Sequence, residues 1–165
     1  MSANLPTISD TSALRGDASS HGFRAREYFA ALVRHETDVW NLVEKRMRGE
    51  GVLSLARLEV LRIVEAAPMG ARVQDVATGA GTSIAAASRL LDRLATDGLL
   101  ERASDPVDRR SVRSTLSPQG RDAFATADER FERALDAVLS NADAAAVADG
   151  IAALERLQST LGARR

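Results

Sequence analysis

The sequence predicts a mainly α-helical chain that carries one small β-hairpin, and three observations predict it. Apolar residues recur at steps of three and four through most of the chain. That period breaks only at residues 99–103 and 111–116, two short strand-like runs joined by the turn-rich, charged connector Asp105-Pro106-Val107-Asp108-Arg109-Arg110. Glycines, prolines and capping residues cut the helical part into long outer pieces and short inner ones.

Composition sets the bounds. The chain has 165 residues, one domain's worth by the usual prior of about 100–200. With 45% apolar and 27% charged residues, the bulk of it is not intrinsically disordered. There is no cysteine, which removes disulfides, thiolate metal sites and cysteine nucleophiles and fits a reducing compartment. No uncharged apolar stretch approaches about 18 residues, and the first twenty positions lack a signal-peptide pattern. A soluble, cytoplasmic protein with no membrane partner is expected.

Residues 1–20, rich in Ser, Thr, Asn and Gly, show no period and are expected to form a mobile arm. From Phe23 to about Arg48 the positions Phe29, Leu32, Val33, Val39, Trp40, Val43 and Met47 form one amphipathic stripe, ended by Gly49 and Gly51. Ser54 caps a second helix with Leu55, Leu58, Leu61 and Val64 on its inner side; Pro68 and Gly70 close it. A short helix over 73–77 is broken by Gly79 and Gly81. Thr82 or Ser83 then caps a helix with Ile84, Ala87, Leu90, Leu91 and Leu94 inward, stopping at Gly98. After the hairpin, Ser117-Pro118 starts a helix carrying Phe124, Phe131, Leu135 and Val138. A last helix aligns Val147, Ile151, Leu154, Leu157 and Leu161. The expected division is an arm to 20, a first long helix over 21–50, an inner module over 51–120, and closing helices over 121–165.

Helix, helix, glycine turn, helix and charged hairpin is the order of a winged helix-turn-helix. Two helices that cross closely need a small residue in the first, and the sharp turn that follows needs a residue tolerant of positive φ. Ala77, Gly81 and Ala87 stand at those places. If Ile84, Ala87, Leu91 and Leu94 face the core, then Ser83, Ala85, Ala86, Ser88, Arg89 and Asp92 or Arg93 face outward, where such a helix reaches the major groove of duplex DNA. Arg89 suits a guanine edge or a phosphate, Ser88 a base or phosphate oxygen, and Ala85 and Ala86 thymine methyl groups. The plainer possibility is that Arg89 and Arg93 pair along the helix with Asp92 and Asp97. At the hairpin tip, Arg109 and Arg110 are suited to a narrow minor groove, and Arg113 to the DNA backbone. Between 89 and 113 there are six arginines and five acids, so binding must depend on where the arginines point.

The hairpin stretch Asp105-Pro-Val-Asp-Arg-Arg-Ser-Val-Arg-Ser-Thr-Leu-Ser-Pro-Gln-Gly120 resembles the wing signature of the multiple antibiotic resistance regulator (MarR) family. Ser88-Arg-Leu-Leu-Asp-Arg-Leu94 and Asp97-Gly-Leu-Leu-Glu-Arg102 are similar to that family's recognition helix and first wing strand, and Leu53-Ser54-Leu55 with Leu58 and Leu61 to its helix opening. Ala85-Ala86-Ala87 departs from it, replacing the more polar or β-branched residues usual there.

The resemblance implies a winged helix-turn-helix whose N- and C-terminal helices form a dimerisation base. It implies a homodimeric transcriptional regulator, a repressor acting on a palindromic operator. It assigns Arg110 to the minor groove, with Asp108 holding its guanidinium. It also implies a small aromatic or anionic effector, here near Trp40, Arg57 and Arg62. No cofactor or metal is expected: His21 and His35 lack companions for a zinc site, and no phosphate loop or nucleophile–base set argues for an enzyme. The rival expectation is a winged-helix interaction module or antirepressor that does not read DNA, for which the alanine-rich helix face leaves room.

Overall fold

The computed structural model describes residues 13–48, 53–105, 108 and 110–162. The element order is α1(Ala13–Met47), α2(Leu55–Glu65), α3(Val73–Gly79), α4(Ile84–Thr96), β1(Leu100–Ser104), β2(Val112–Leu116), α5(Pro118–Leu139) and α6(Ala144–Gly162). Two compact units part after Asn41, inside α1. Helix α1 begins well before the apolar stripe that marks it in the sequence. The part of the expected arm from Ala13 on is helical, although Gly16, Asp17, Ser19, Ser20 and Gly22 give it neither a stripe nor high helix propensity. The part of the expected arm over 1–12, and the expected stops Gly49 and Gly51, lie outside the described residues.

In the first unit α1 leaves Tyr28, Phe29, Leu32, Val33 and Trp40 exposed, Phe29 to 67%. The second unit holds the core. Leu55, Leu58, Val60, Leu61 and Val64 of α2 are buried, as the period of three to four requires. Ser54 takes the N-cap place of α2 without making a side-chain cap bond; the Leu55 amide donates instead to Glu44 Oε2 at 2.8 Å. Helix α3 starts with a one-sided cap in which Asp75 Oδ2 accepts from the Arg72 amide at 2.8 Å.

Helices α3 and α4 pack at the small residues the sequence singles out, Ala77 and Ala87, both buried, and the turn between them passes through Gly81 at φ +59°. Ser83 caps α4, its Oγ accepting from the Ala86 amide at 3.2 Å. Ala87, Leu91 and Leu94 are fully buried, but Ile84 is 57% exposed and not on the inner side as expected. It is the first residue of α4, one turn before the buried stripe begins, and no element covers it.

The hairpin pairs Leu100 with Leu116 through to Ser104 with Val112, antiparallel. Ala71 adds a one-residue bridge to Ser114, with both amide–carbonyl bonds at 2.9 Å, so the α2–α3 loop is tied to the wing. Ser117 caps α5 by accepting from the Gly120 amide at 2.9 Å. Gly120 is fixed by space: a Cβ there would stand 1.9 Å from the Leu99 carbonyl oxygen. Phe124, Phe131, Leu135 and Val138 are only half-buried, while Ala127 and Ala134 are buried. On α6, Ile151, Leu154 and Leu157 are 40–55% exposed. Among the described residues no single helix is long and apolar enough to cross a membrane.

Candidate nucleic-acid interface

Helix α4 sets the outward face. Arg89 and Arg93, four residues apart on one side, are both exposed; Ala85 is exposed, and Ala86 and Ser88 are half-buried beside them. Ser83 is exposed at the N-terminus, its oxygen engaged as the cap and its hydroxyl hydrogen left to donate outward. The pairing of Arg89 and Arg93 with Asp92 and Asp97 does not occur. Asp92 instead takes Arg102 of β1, and Asp97 takes Arg57 of α2 at 2.5 Å. The acids of α4 are thus turned toward the neighbouring elements, and Arg89 and Arg93 have no ion-pair partner among the described residues. Between α4 and the start of α2 lies a cavity of about 420 Å³ lined by Ser54, Arg57, Arg93 and Thr96, among others.

The wing is built on a buried acid. Asp105 is fully buried and its Oδ2 accepts from Arg72 Nε at 2.9 Å and Arg113 Nε at 2.7 Å, with Arg72 Nη2 bound to the same oxygen. Hydrogen bonding to Asp105, reinforced by its charge, pushes the Arg72 guanidinium pKa up. Arg113 also donates from Nη1 to the Gly70 carbonyl at 2.9 Å. Nε and Nη1 of Arg113, a residue expected at the DNA backbone, are thus engaged inside the fold, where the side chain pins the wing to the α2–α3 loop.

A correction concerns Asp108. Its carboxylate does not hold the Arg110 guanidinium; Oδ1 accepts from the Arg110 backbone amide at 3.1 Å and Oδ2 from Ser111 Oγ at 2.7 Å. In a tight turn the carboxylate of one residue lies over the amide two residues on, while the two side chains diverge. The Ser111 hydroxyl, then the Arg110 amide, hold the Asp108 pKa below the ordinary aspartate value. Arg110 is exposed and its guanidinium is unpaired among the described residues. Arg109 lies outside them.

Of the residues expected near an effector, Trp40 is 37% exposed on α1. Arg57 is tied to Asp97 through Nη2, and its Nε–H is buried with no acceptor. Arg62 binds Glu59 and Asp128, the latter at 2.7 Å, and its guanidinium lies 4.7 Å from the Phe131 ring centroid. It ties α2 to α5. Among the described residues no cluster of His, Asp and Glu could hold a metal ion. Sequence reasoning missed Arg72, took Gly70 only as a helix stop and Arg102 only as part of a wing strand, and treated Asp105 as a turn residue; the Asp-Pro step marked the turn, but nothing local marked the burial.

Residues 53–112, which span α2 to the start of β2, match the model of the MarR family. That stretch, over a third of the chain, is MarR-like. No curated protein matches the chain. Solved structures similar to this chain include a MarR family transcriptional regulator from Silicibacter pomeroyi, at 20% identity and TM-score 0.73 over 86% of this chain and 97% of that one. Another is BpsR of Bordetella bronchiseptica, whose DNA binding is regulated by 6-hydroxynicotinic acid, at 21% identity and TM-score 0.69 over 78% of this chain and 91% of that one. A third is the transcriptional repressor CouR bound to a 23-mer DNA duplex, at 26% identity and TM-score 0.63 over 80% of this chain and 89% of that one. The MarR fold, mainly helical with a winged helix-turn-helix, is therefore that of this chain.

Proposed function

We propose that this chain is a sequence-specific DNA-binding transcriptional repressor that acts as a homodimer on a palindromic operator and is released by a small aromatic or anionic effector. One observation carries the reading. Four of the five acids between 89 and 113 are engaged within the fold, Asp92 by Arg102, Asp97 by Arg57, Asp105 by Arg72 and Arg113, and Asp108 by Ser111 and the Arg110 amide. Arg89 and Arg93 on α4 and Arg110 at the wing tip are left unpaired and exposed. A chain of net charge −1 thus presents a positive face where a recognition helix and a wing meet adjacent grooves. Ser83, Ala85, Ala86 and Ser88 complete the reading surface, and Arg109 joins Arg110 at the minor groove.

The homodimer is supported by the exposed apolar residues Ile151, Leu154 and Leu157 of α6 and by those of α1, which a second copy would cover. The effector is supported by the organic acid named for BpsR; within the second unit the buried Nε–H of Arg57, which lacks an acceptor, is a donor that could meet one. We assign no catalytic role, since the carboxylates of the module serve as ties between elements. Mobility shift on DNA beside the chain's own gene, repeated at raised salt, tests the reading: retardation that depends on sequence supports it, and equal binding to random DNA refutes it. The exposed Ile84 beside Ala85 favours the second reading, a protein-docking face on α4; Ile84→Ser would abolish partner binding on that reading and leave DNA affinity nearly unchanged.

A further inference from the structure

Arg72 stands where helix chemistry argues against it. It takes the N-cap place of α3, which favours Ser, Thr, Asp or Asn, and its side chain makes no cap bond there. A cation at that end also faces the positive pole of the backbone dipole. A residue that breaks a local rule without a local gain points to a longer-range demand. Here the guanidinium meets Asp105: Nε donates to Oδ2 at 2.9 Å and Nη2 binds the same oxygen, across 33 positions of sequence. Asp105 follows the last residue of β1 and is fully buried. Its amide donates to the Ser111 carbonyl at 2.9 Å, which closes the turn that carries Asp108 and Arg110. Its Oδ1 accepts from the Asp108 amide at 3.4 Å. Asp108 in turn accepts from the Arg110 amide and from Ser111 Oγ. A path of hydrogen bonds thus runs from the start of α3, through a buried carboxylate, to the backbone of Arg110. The bridge of Ala71 to Ser114 and the bond of Arg113 to the Gly70 carbonyl, by contrast, hold β2 and not the turn beyond it.

We propose that Arg72 is a positioning residue for the wing: through Asp105 and Asp108 it sets where Arg110 stands relative to α4, without itself touching DNA. The inference rests on the DNA-binding reading above. Helices α3 and α4 pack together at the buried Ala77 and Ala87, so a wing tip fastened to the start of α3 is held in register with Arg89 and Arg93. Arg113 also binds Asp105 Oδ2, at 2.7 Å, but from β2 of the wing itself, so that bond alone sets no relation to α3. An arginine already aimed loses less freedom on entering a groove, so cutting the path at Arg72 weakens binding although no DNA contact is removed.

The test compares the full chain with Arg72→Gln, Asp105→Asn, Arg110→Ala and the Arg72→Gln/Arg110→Ala double variant. Fluorescence anisotropy is read on a duplex that the parent chain selects from a random pool, over a range of KCl concentrations, at a temperature where circular dichroism shows every variant folded. Arg72→Gln is expected to weaken binding about tenfold in the parent chain, but less than about twofold in the Arg110→Ala background, because it acts through Arg110. In that background the slope of affinity against salt should not change. Asp105→Asn should also weaken binding, although loss of an acid near DNA would on charge alone tighten it. In the free chain, the amide heteronuclear NOEs of Arg110 and Ser111 should fall in Arg72→Gln; a role confined to stability would lower the melting temperature and leave them unchanged. An equal loss from Arg72→Gln with and without Arg110, with the salt slope reduced by about one, makes Arg72 a phosphate contact and overturns the proposal. Unchanged affinity, or unchanged order at the wing tip, overturns it too, and the DNA-binding reading stands in each of these cases. A parent chain that selects no sequence overturns that reading and the proposal together.

Discussion

Replacing Asp105 by alanine is the sharpest test of how the wing is held. The carboxylate is fully buried and is shared by Arg72 and Arg113, whose side chains are 36% and 19% exposed. Removing one partner of a fully buried ion pair costs about 3–5 kcal/mol because a charge is left uncompensated. Here both arginines reach some water, and Arg113 keeps its bond to the Gly70 carbonyl. The expected loss is therefore lower, about 2–3 kcal/mol, after the discount for solvent around Arg72. For a chain of this size each kcal/mol shifts the melting temperature by about 2–4 °C, which places the Asp105→Ala transition about 4–12 °C below the parent's. Thermal unfolding followed by circular dichroism measures it. Asp105→Asn, which keeps an acceptor but loses the charge, should recover part of the difference. A shift of less than about 2 °C for alanine would show that the triad contributes little and that the wing is held by strand pairing alone, and an asparagine shift equal to alanine's would show that an uncharged acceptor recovers nothing.

Other expectations separate contact from scaffold. Arg89→Ala and Arg110→Ala should each weaken operator binding by about 1–3 kcal/mol with the melting temperature unchanged, whereas Arg113→Ala should lower the melting temperature first; fluorescence anisotropy beside thermal melts distinguishes them. Asp108 should titrate below the ordinary aspartate value of about 3.9, so the order it gives the wing tip is present above that pH and is lost as pH falls through its lower folded midpoint. An NMR pH titration reads the midpoint directly, and Ser111→Ala should raise it; a midpoint at or above the ordinary value would contradict the hydrogen bonds described. If the proposed homodimer forms through α6, Leu154→Glu with Leu157→Glu should convert it to a monomer in sedimentation velocity, and a species unchanged from the parent's would place the interface elsewhere.

The legible part of this molecule is the part with a local signal. Ala77, Gly81 and Ala87 mark the helix crossing because a small residue and a positive φ are needed within ten positions of each other, and the structure puts them there. Ser117-Pro118 announces the start of α5 by cap chemistry, and the hairpin lies within one residue of where alternation and turn residues place it. What the sequence hides is long-range. Arg72 meets Asp105 across 33 positions, Arg57 meets Asp97 across 40, and Arg62 meets Asp128 across 66. No spacing rule connects residues so far apart. Arg113 therefore reads as a free cation in the sequence and is a pin in the fold, and Arg62 reads as an effector contact and is a tie between α2 and α5. Ile84 misleads for the opposite reason: it keeps the helical period, but the core ends before it. Asp108 fails through direction, since proximity in sequence does not make two turn side chains face each other.

The central claim is that two copies of this chain set Arg89, Arg93 and Arg110 against one duplex in register. Selection from a random-sequence duplex pool with the full chain, followed by hydroxyl-radical footprinting of the winner, tests it most directly. The account predicts an inverted repeat with half-site centres about 10–10.5 base pairs apart, or a multiple of that, protected symmetrically. Enrichment of no sequence over the starting pool, or protection of a single unrepeated half-site, would contradict it.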